Sequence, residues 1–485
     1  MVFQIFFKKS AKKRALRAKS GKPPPARSRN LCRKGKIQHP FLNKSKQTIP
    51  YRNCGFEIEK SQKRCILHKN RNIWCIFSFV IFASAVIQQI RFPARFETNF
   101  ICVRIIEKEV FMDSARYSFE AAKLTAPSPE RAKERRHQGI PGVECVGKRL
   151  FVCCYANNIP GEGPGNYAIL RKSDDKGCSF EDILDVLPPD ENSRVFDPVI
   201  WLDPENRLWF FWAQSRSSEL TDVFDGRAGV WAAVCDNPLA EKLQWNAPRR
   251  LGDGVMMNKP VVLNDGSWAL PAALWASYPD KLTPEQHDMA RSNILLSRDQ
   301  GKTFELIIGP DVPDREFDEH VIIQQQDGSL RILVRTRYGI GESTGTSAGT
   351  DWTPGKDSDL PGPASRFALR RLKSGKLCLI SHQTPCRLPG EKLAAPFSRE
   401  KLTAWLSDDD GKTWYGRLML DPGSNVSYPD FAESDDGFIY AVYDHERLSE
   451  GQIRLARFTE EEAAAGRLFK SGSYLQMTVA AMERS

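Results

Sequence analysis

One eight-residue pattern occurs three times in this 485-residue chain. Residues 173–180 read SDDKGCSF, 297–304 read SRDQGKTF and 407–414 read SDDDGKTW, sharing Ser-x-Asp-x-Gly-x-Ser/Thr-aromatic. A carboxylate inside a tight turn accepts backbone N–H bonds across it, and a glycine beside it supplies a positive φ without strain. Each copy follows a strand-like run (YAILRK, NILLS or LTAWLS), so the pattern closes a hairpin and leaves its aromatic to pack between sheets. Asp175, Asp299 and Asp410 are therefore assigned to the fold and not to chemistry. Worn copies stand at CDNPLAEKLQW (235–245) and GTSAGTDW (345–352), the latter keeping Gly349 and Trp352. Starts fall at 173, 235, 297, 345 and 407, at intervals of 62, 62, 48 and 62. Four strands with their turns fit one such interval, so each unit can be one propeller blade.

Between the copies lie paired apolar runs with polar turns: WLDPENRLWFFWA, VVLNDGSWALPAAL, VIIQQQDGSLRILVR, LRRLKSGKLCLI and FAESDDGFIYAVYD. With RLFVCCYA they make six units, and IRLARFT supplies a strand of the last. Helix signals are sparse, TPEQHDMA and TEEEAAAG being the two candidates. The repeated pattern resembles the Asp box, or BNR repeat, of the sialidase (neuraminidase) superfamily. The resemblance implies an all-β fold, a six-bladed β-propeller of sialidase type, over residues 112–485.

Charge divides the chain. Residues 1–111 hold 25 Lys+Arg against 5 Asp+Glu, whereas 112–485 hold 45 against 55, so the overall +10 describes neither part. The first segment shows no sustained period of 2 or 3.6 and contains KKSAKKRALRAKSGKPPPARSRN, so it is read as a disordered basic extension or an upstream mis-assigned start, with Met112 opening the ordinary sequence. Two alternatives stay open. One is a nucleic-acid-binding arm. The other is a membrane anchor at 73–90, whose uncharged core IWCIFSFVIFASAVI runs 15 residues and would set the propeller outside. Seven cysteines follow residue 112, an odd number without metal-ligand spacing. Adjacent Cys153 and Cys154 should face opposite sides of one strand. Buried free thiols and a cytoplasmic location are the simplest expectation.

The resemblance extends to a site. Sialidases hold the carboxylate of a terminal acidic sugar with three arginines, whose planar forks match both oxygens. A Tyr–Glu pair supplies nucleophile and base, because a neutral tyrosine is not repelled by an anomeric centre that bears a carboxylate. FDEHVIIQQQDGSLRILVRTR is similar to the family segment carrying the base and one arginine, which implies Glu319 as base and Arg335, 16 residues on, as carboxylate anchor. NVSYPDFAESDDGFIYAVYDHER resembles the segment of the nucleophile, Tyr428, with Pro429 where serine is usual. The first blade departs from the family: RRHQGIPGV has Gly139 where the first arginine stands, with Arg135 and Arg136 nearby but out of register. The family's acid is matched in position by Glu162 in NNIPGEGPGNY, which serves as general acid if its pKa is raised. For the remaining arginine, Arg399 and Arg366 are candidates, Trp405 standing where an arginine is expected. Asp197, Asn258, Asp318, His320 and His445 are further polar residues near the expected mouth, and Lys259 and Arg337 are expected to contact substrate. No metal motif, phosphate loop or dinucleotide fingerprint occurs, and the proposed chemistry requires no cofactor. The implied activity is exo-acting glycoside hydrolysis of a glycan ending in an acidic sugar. The rival reading, favoured by the missing arginine at 139, is a glycan-binding propeller without catalysis.

Overall fold

The computed structural model describes residues 120–482, apart from 220, 276 and 384–398. The basic extension, the 73–90 run, Met112 and Cys386 lie outside the described residues. Among the described residues no helix is long and apolar enough to cross a membrane.

Six antiparallel sheets follow one another along the chain, each a meander whose first strand is innermost. Blade 1 comprises His137–Val146, Arg149–Asn157, Tyr167–Ser173 and Glu181–Leu187, with Lys123–Thr125 added to its outer edge. Blade 2 runs from Ser193–Leu202 to Arg249–Asp253. In blade 3 the innermost strand is broken into Val255–Met256 and Val261–Val262, which both pair with Trp268–Ala273. Blades 4, 5 and 6 begin at Val321–Gln324, Ala368–Arg371 and Val426–Glu433. The last blade takes Gln452–Thr459, as expected, and also Tyr474–Ala480 at its outer edge. Helices Pro284–Met289 and Glu460–Ala465 occupy the two candidate positions, each started by a capping box. A third, Pro129–Glu134, was not anticipated.

Central strands such as Leu208–Arg216 (LWFFWAQSR) are apolar almost throughout because sheets cover both faces. Consecutive blades share buried apolar clusters, and the ring closes without a strand shared between the first and last blades: Val143, Val152 and Ile169 of blade 1 pack on Tyr440, Val442 and Ile453 of blade 6, and the Val143 N–H donates to Asp430 across the seam. Cys153 lies in the cluster between blades 1 and 2 and Cys154 in that between blades 6 and 1, so the pair faces opposite ways as expected. Cys178 departs from the expected burial and is exposed.

The repeated motif folds identically in its three strong copies. Ser173 Oγ donates to Asp175 Oδ1 (2.7 Å) and accepts from the Gly177 N–H (2.8 Å). Asp175 then accepts from the Ser179 N–H (2.9 Å) and hydroxyl (2.6 Å). Ser297, Asp299 and Thr303 repeat this set. In the third copy the closing aspartate is Asp409, not Asp410, and it accepts from the Thr413 N–H (2.8 Å) and hydroxyl (2.6 Å). Three consecutive aspartates had blurred the register. Asp410 takes the left-handed position that Lys176 and Gln300 occupy in the other copies (φ 59°, 62° and 59°). Its carboxylate instead accepts from the Gln326 N–H and pairs with Arg371. The hydroxyls of Ser179, Thr303 and Thr413 are the largest cause holding Asp175, Asp299 and Asp409 down to about 2. Gly301 is required on a second count: a Cβ there would lie 2.6 Å from Trp268 and 2.7 Å from Trp209, at φ +81°. Asp409→Asn should lower the thermal midpoint by a few degrees more than Asp410→Asn, since it removes the bonds that close the turn. Equal losses in a calorimetric scan would contradict that division.

Candidate functional site

Three innermost strands carry the same local distortion where they reach the propeller axis. Ile140, Asp197 and Tyr428 have φ of 51°, 48° and 54°, each inside a β-bulge and each followed by proline. Positive φ is rare for such residues, and a following proline narrows the choice further. A bulge re-aims the side chain that ordinary pleating would bury between sheets. The signal was present in the sequence as the repeated dipeptides Ile140-Pro141, Asp197-Pro198 and Tyr428-Pro429.

Glu319, Arg335 and Tyr428 come together. Val321 pairs with Leu333 at the ends of two neighbouring strands, which brings the chain just before the one and just after the other together and lets Glu319 and Arg335 meet. Arg335 Nη1 donates to Glu319 Oε1 at 2.7 Å and to the Tyr428 hydroxyl at 3.4 Å. Glu319 is 2% and Tyr428 6% exposed. Burial opposes the Arg335 charge, but Glu319, with Tyr428 and Glu316, holds its pKa above the ordinary value. Glu319 and Tyr428 are thus bridged by a guanidinium, and Glu319 Oε2 is buried without a hydrogen-bond partner. Asn258 fixes this turn by donating to the Glu319 and His320 carbonyls. Phe317, Trp275, Phe224 and Tyr278 form an aromatic wall beside Arg335.

Glu162 is linked to Tyr428 through Arg447, which contacts both. It accepts from Tyr155 Oη (2.8 Å) and Arg447 Nη1 (3.4 Å), with Arg194 at 3.9 Å. Burial would raise its pKa, but Arg447, Arg194, the Tyr155 hydroxyl and His137 hold it below the usual carboxylate range. The condition attached to Glu162 as general acid is therefore not met, because it is charged and paired. The carboxyl that is pushed up, to about 8, is Asp197: burial is the main cause, aided by the charge of Glu162. Its carboxyl has no hydrogen-bond or ion-pair partner among the described residues, and it feels the charges of Glu319 and Arg366 as well. In the sequence Asp197 is one of several polar residues near the expected mouth, and no local pattern marks Arg447, Arg194 or Tyr155.

Other expected contacts are corrected. The Lys259 ammonium is buried, bonded to the Val143 carbonyl and Glu144 Oε2 (2.8 Å), with Asp430 at 3.8 Å, so it ties blade 3 to blades 1 and 6. Arg366 is 1% exposed and donates to the carbonyls of Met257 (2.9 Å), Pro141 (2.8 Å), Tyr428 (2.7 Å) and Pro429 (3.2 Å), which makes it an axial strut. Arg136 is exposed, outside the buried group, while Arg135 packs against Tyr167 and Gln138. Arg337 is 72% exposed and only 4.0 Å from Glu316, a rim residue. Asp318 and His320 are internally bonded, with burial lowering the His320 pKa to about 4. Trp405 belongs to the core between blades 4 and 5. Arg399 does reach the site: its guanidinium lies 5.2 Å from the Tyr428 ring centroid and donates to the Ala364 carbonyl.

A six-bladed ring of such hairpins with an arginine-rich axial site defines a sialidase-like propeller. The chain belongs to the family described as BNR repeat-like domain, whose model matches residues 149–441. No curated protein matches it. Among solved structures it is similar to a Hadza microbial sialidase (TM-score 0.50, 16% identity, 64% of this chain and 64% of that one). It is also similar to the Trypanosoma rangeli sialidase solved with sialic acid (0.51, 14%, 64% and 52%). The intramolecular trans-sialidase of Ruminococcus gnavus, solved with oseltamivir carboxylate, is a third (0.52, 12%, 72% and 99%). The matched region thus spans about two thirds of the first and half of the second of these proteins. At these identities the likeness is one of fold.

Proposed function

We propose that this chain is an exo-acting glycoside hydrolase that removes a terminal acidic sugar from a glycan. The observation that carries the reading is the buried unit in which Arg335 bridges Glu319 and the Tyr428 hydroxyl, with Asp197, whose carboxyl pKa burial raises, within electrostatic reach of Glu319. In this reading Arg335 and Arg399 hold the sugar carboxylate. Tyr428 Oη bonds to the anomeric carbon while its proton passes to Glu319, whose Oε2 is without a partner. The glycosidic oxygen leaves with the proton of Asp197. Water then displaces the tyrosine, giving its proton to Asp197, and Glu319 returns the other to Tyr428. Asp197 replaces Glu162 as donor because a general acid must hold its proton at the working pH.

The full chain should release the terminal sugar from a panel of glycans ending in acidic sugars and leave neutral termini intact. Asp197 is protonated below about 8 and charged above it, so kcat/KM should fall as pH rises through that value. Asp197→Asn should lower release by about 100-fold or more. Binding of an acidic glycan without release from any member of the panel would favour the non-catalytic, glycan-binding propeller, the reading suggested by Gly139.

A further inference from the structure

Gly139 has no positive φ and borders no turn that demands glycine; its constraint is the volume beside it. A Cβ at 139 would overlap Arg447 Cδ, lie 2.9 Å from Arg447 Cγ and 3.2 Å from Asp444 Oδ2. The space that a side chain on the first inner strand would fill is thus already filled by the stem of Arg447, which enters from the loop after Phe438–His445 across the seam between blades 6 and 1. Its guanidinium then reaches the site, 4.8 Å from the Tyr428 ring centroid. Its polar contacts are all long: Tyr155 Oη at 3.3 Å, Glu162 Oε1 at 3.4 Å and Asp444 Oδ2 at 3.9 Å. Burial opposes its charge, but Tyr155, Tyr428, Asp444 and Glu162 keep it ionised. Asp444 anchors the arrangement, accepting also from the Ile140 N–H (3.3 Å) and the Ser427 hydroxyl (2.5 Å).

Three guanidinium groups therefore surround one tyrosine: Arg335 at its hydroxyl, with Arg399 and Arg447 against its ring. Arg366, the fourth nearby, is committed to carbonyls. We infer that Arg447 is the third arm of the carboxylate clamp, supplied from blade 6 in place of a residue at 139, and that a side chain at 139 and Arg447 are mutually exclusive occupants of one volume. The inference rests on the proposed acidic-sugar reading and adds to it a clamp arm of different chain origin. Forked donation by an arginine to a carboxylate in a half-closed site is worth far more than a rim charge.

The test is a calorimetric titration of the full chain with 2-deoxy-2,3-didehydro-N-acetylneuraminic acid and with its methyl ester, which lacks the charge. The unaltered chain should prefer the acid. Arg447→Ala should weaken the acid by about 30-fold or more while changing the ester by less than about threefold. Gly139→Arg alone should also weaken the acid, because two side chains compete for one space. The double variant Gly139→Arg with Arg447→Ala should regain most of the affinity for the acid, and does so even where Arg447→Ala alone folds poorly. An unaltered chain that does not distinguish acid from ester overturns both the acidic-sugar reading and the inference. A chain that distinguishes them, with Arg447→Ala unchanged or weakened equally for both ligands, or with no recovery in the double variant, overturns the inference alone.

Discussion

Tyr428→Phe should abolish sugar release, lowering kcat by about 10³-fold or more while KM changes little. The substitution removes one oxygen and leaves the ring that Arg399 and Arg447 lie against at 5.2 and 4.8 Å. It also leaves the backbone in place, since phenylalanine fills the same bulge with the same following proline. Among the described residues the hydroxyl loses one bond, the 3.4 Å donation from Arg335, which keeps its shorter bond to Glu319. The variant should therefore stay folded and still bind the acidic ligand, so the loss falls on the chemical step. Glu319→Gln should be equally inactive, and combining the two should add almost nothing, as residues acting as one unit are not additive. Release by Tyr428→Phe at more than a few per cent of the original rate, in a steady-state assay on the full chain, would remove the tyrosine from the mechanism.

Arg366→Ala should cost about 4 kcal/mol or more of stability, read as a lower denaturant midpoint with an unchanged slope. Its guanidinium serves carbonyls of blades 1, 3 and 6 at the axis. Removing it strands four buried acceptors and a cavity together, the combination that makes single substitutions severe. Two of those carbonyls, of Tyr428 and Pro429, belong to the left-handed bulge that aims the tyrosine, so Arg366 also stabilises a backbone conformation that is unfavourable by itself. Arg366→Lys should recover only part of the loss, because an ammonium lacks the planar fork that spans three blades. A cost below about 1 kcal/mol for Arg366→Ala would show that the axis is held mainly by the apolar clusters.

Legibility followed distance along the chain. The hairpin motif was readable because serine, aspartate, glycine and hydroxyl act on one another within eight residues, although the run Asp408-Asp409-Asp410 hid which carboxylate closes the third turn. Glu319 and Arg335 were readable through the resemblance of one continuous segment, which folds as a hairpin and brings the two into contact. Lysine and arginine were the misjudged residues. Lys259 and Arg366 looked like ligands and are struts, since both reach carbonyl or carboxylate acceptors more than 60 residues away in sequence. Glu162 matches the acid in sequence position, but Arg447 and Arg194, on other blades, hold it charged against its burial, and no local pattern reveals them.

What the sequence by itself determined was the repeating unit: hairpin chemistry, blade length and hence a six-fold ring of sheets, all set by interactions that a short stretch of chain makes with itself. What only the tertiary structure decided was which charged groups face the axis with donors or carboxyls uncommitted. That depends on every blade at once, because all six bring buried polar residues to one place, and each guanidinium, ammonium or carboxylate there is structural or ligand-facing according to whichever neighbour the ring closure sets against it.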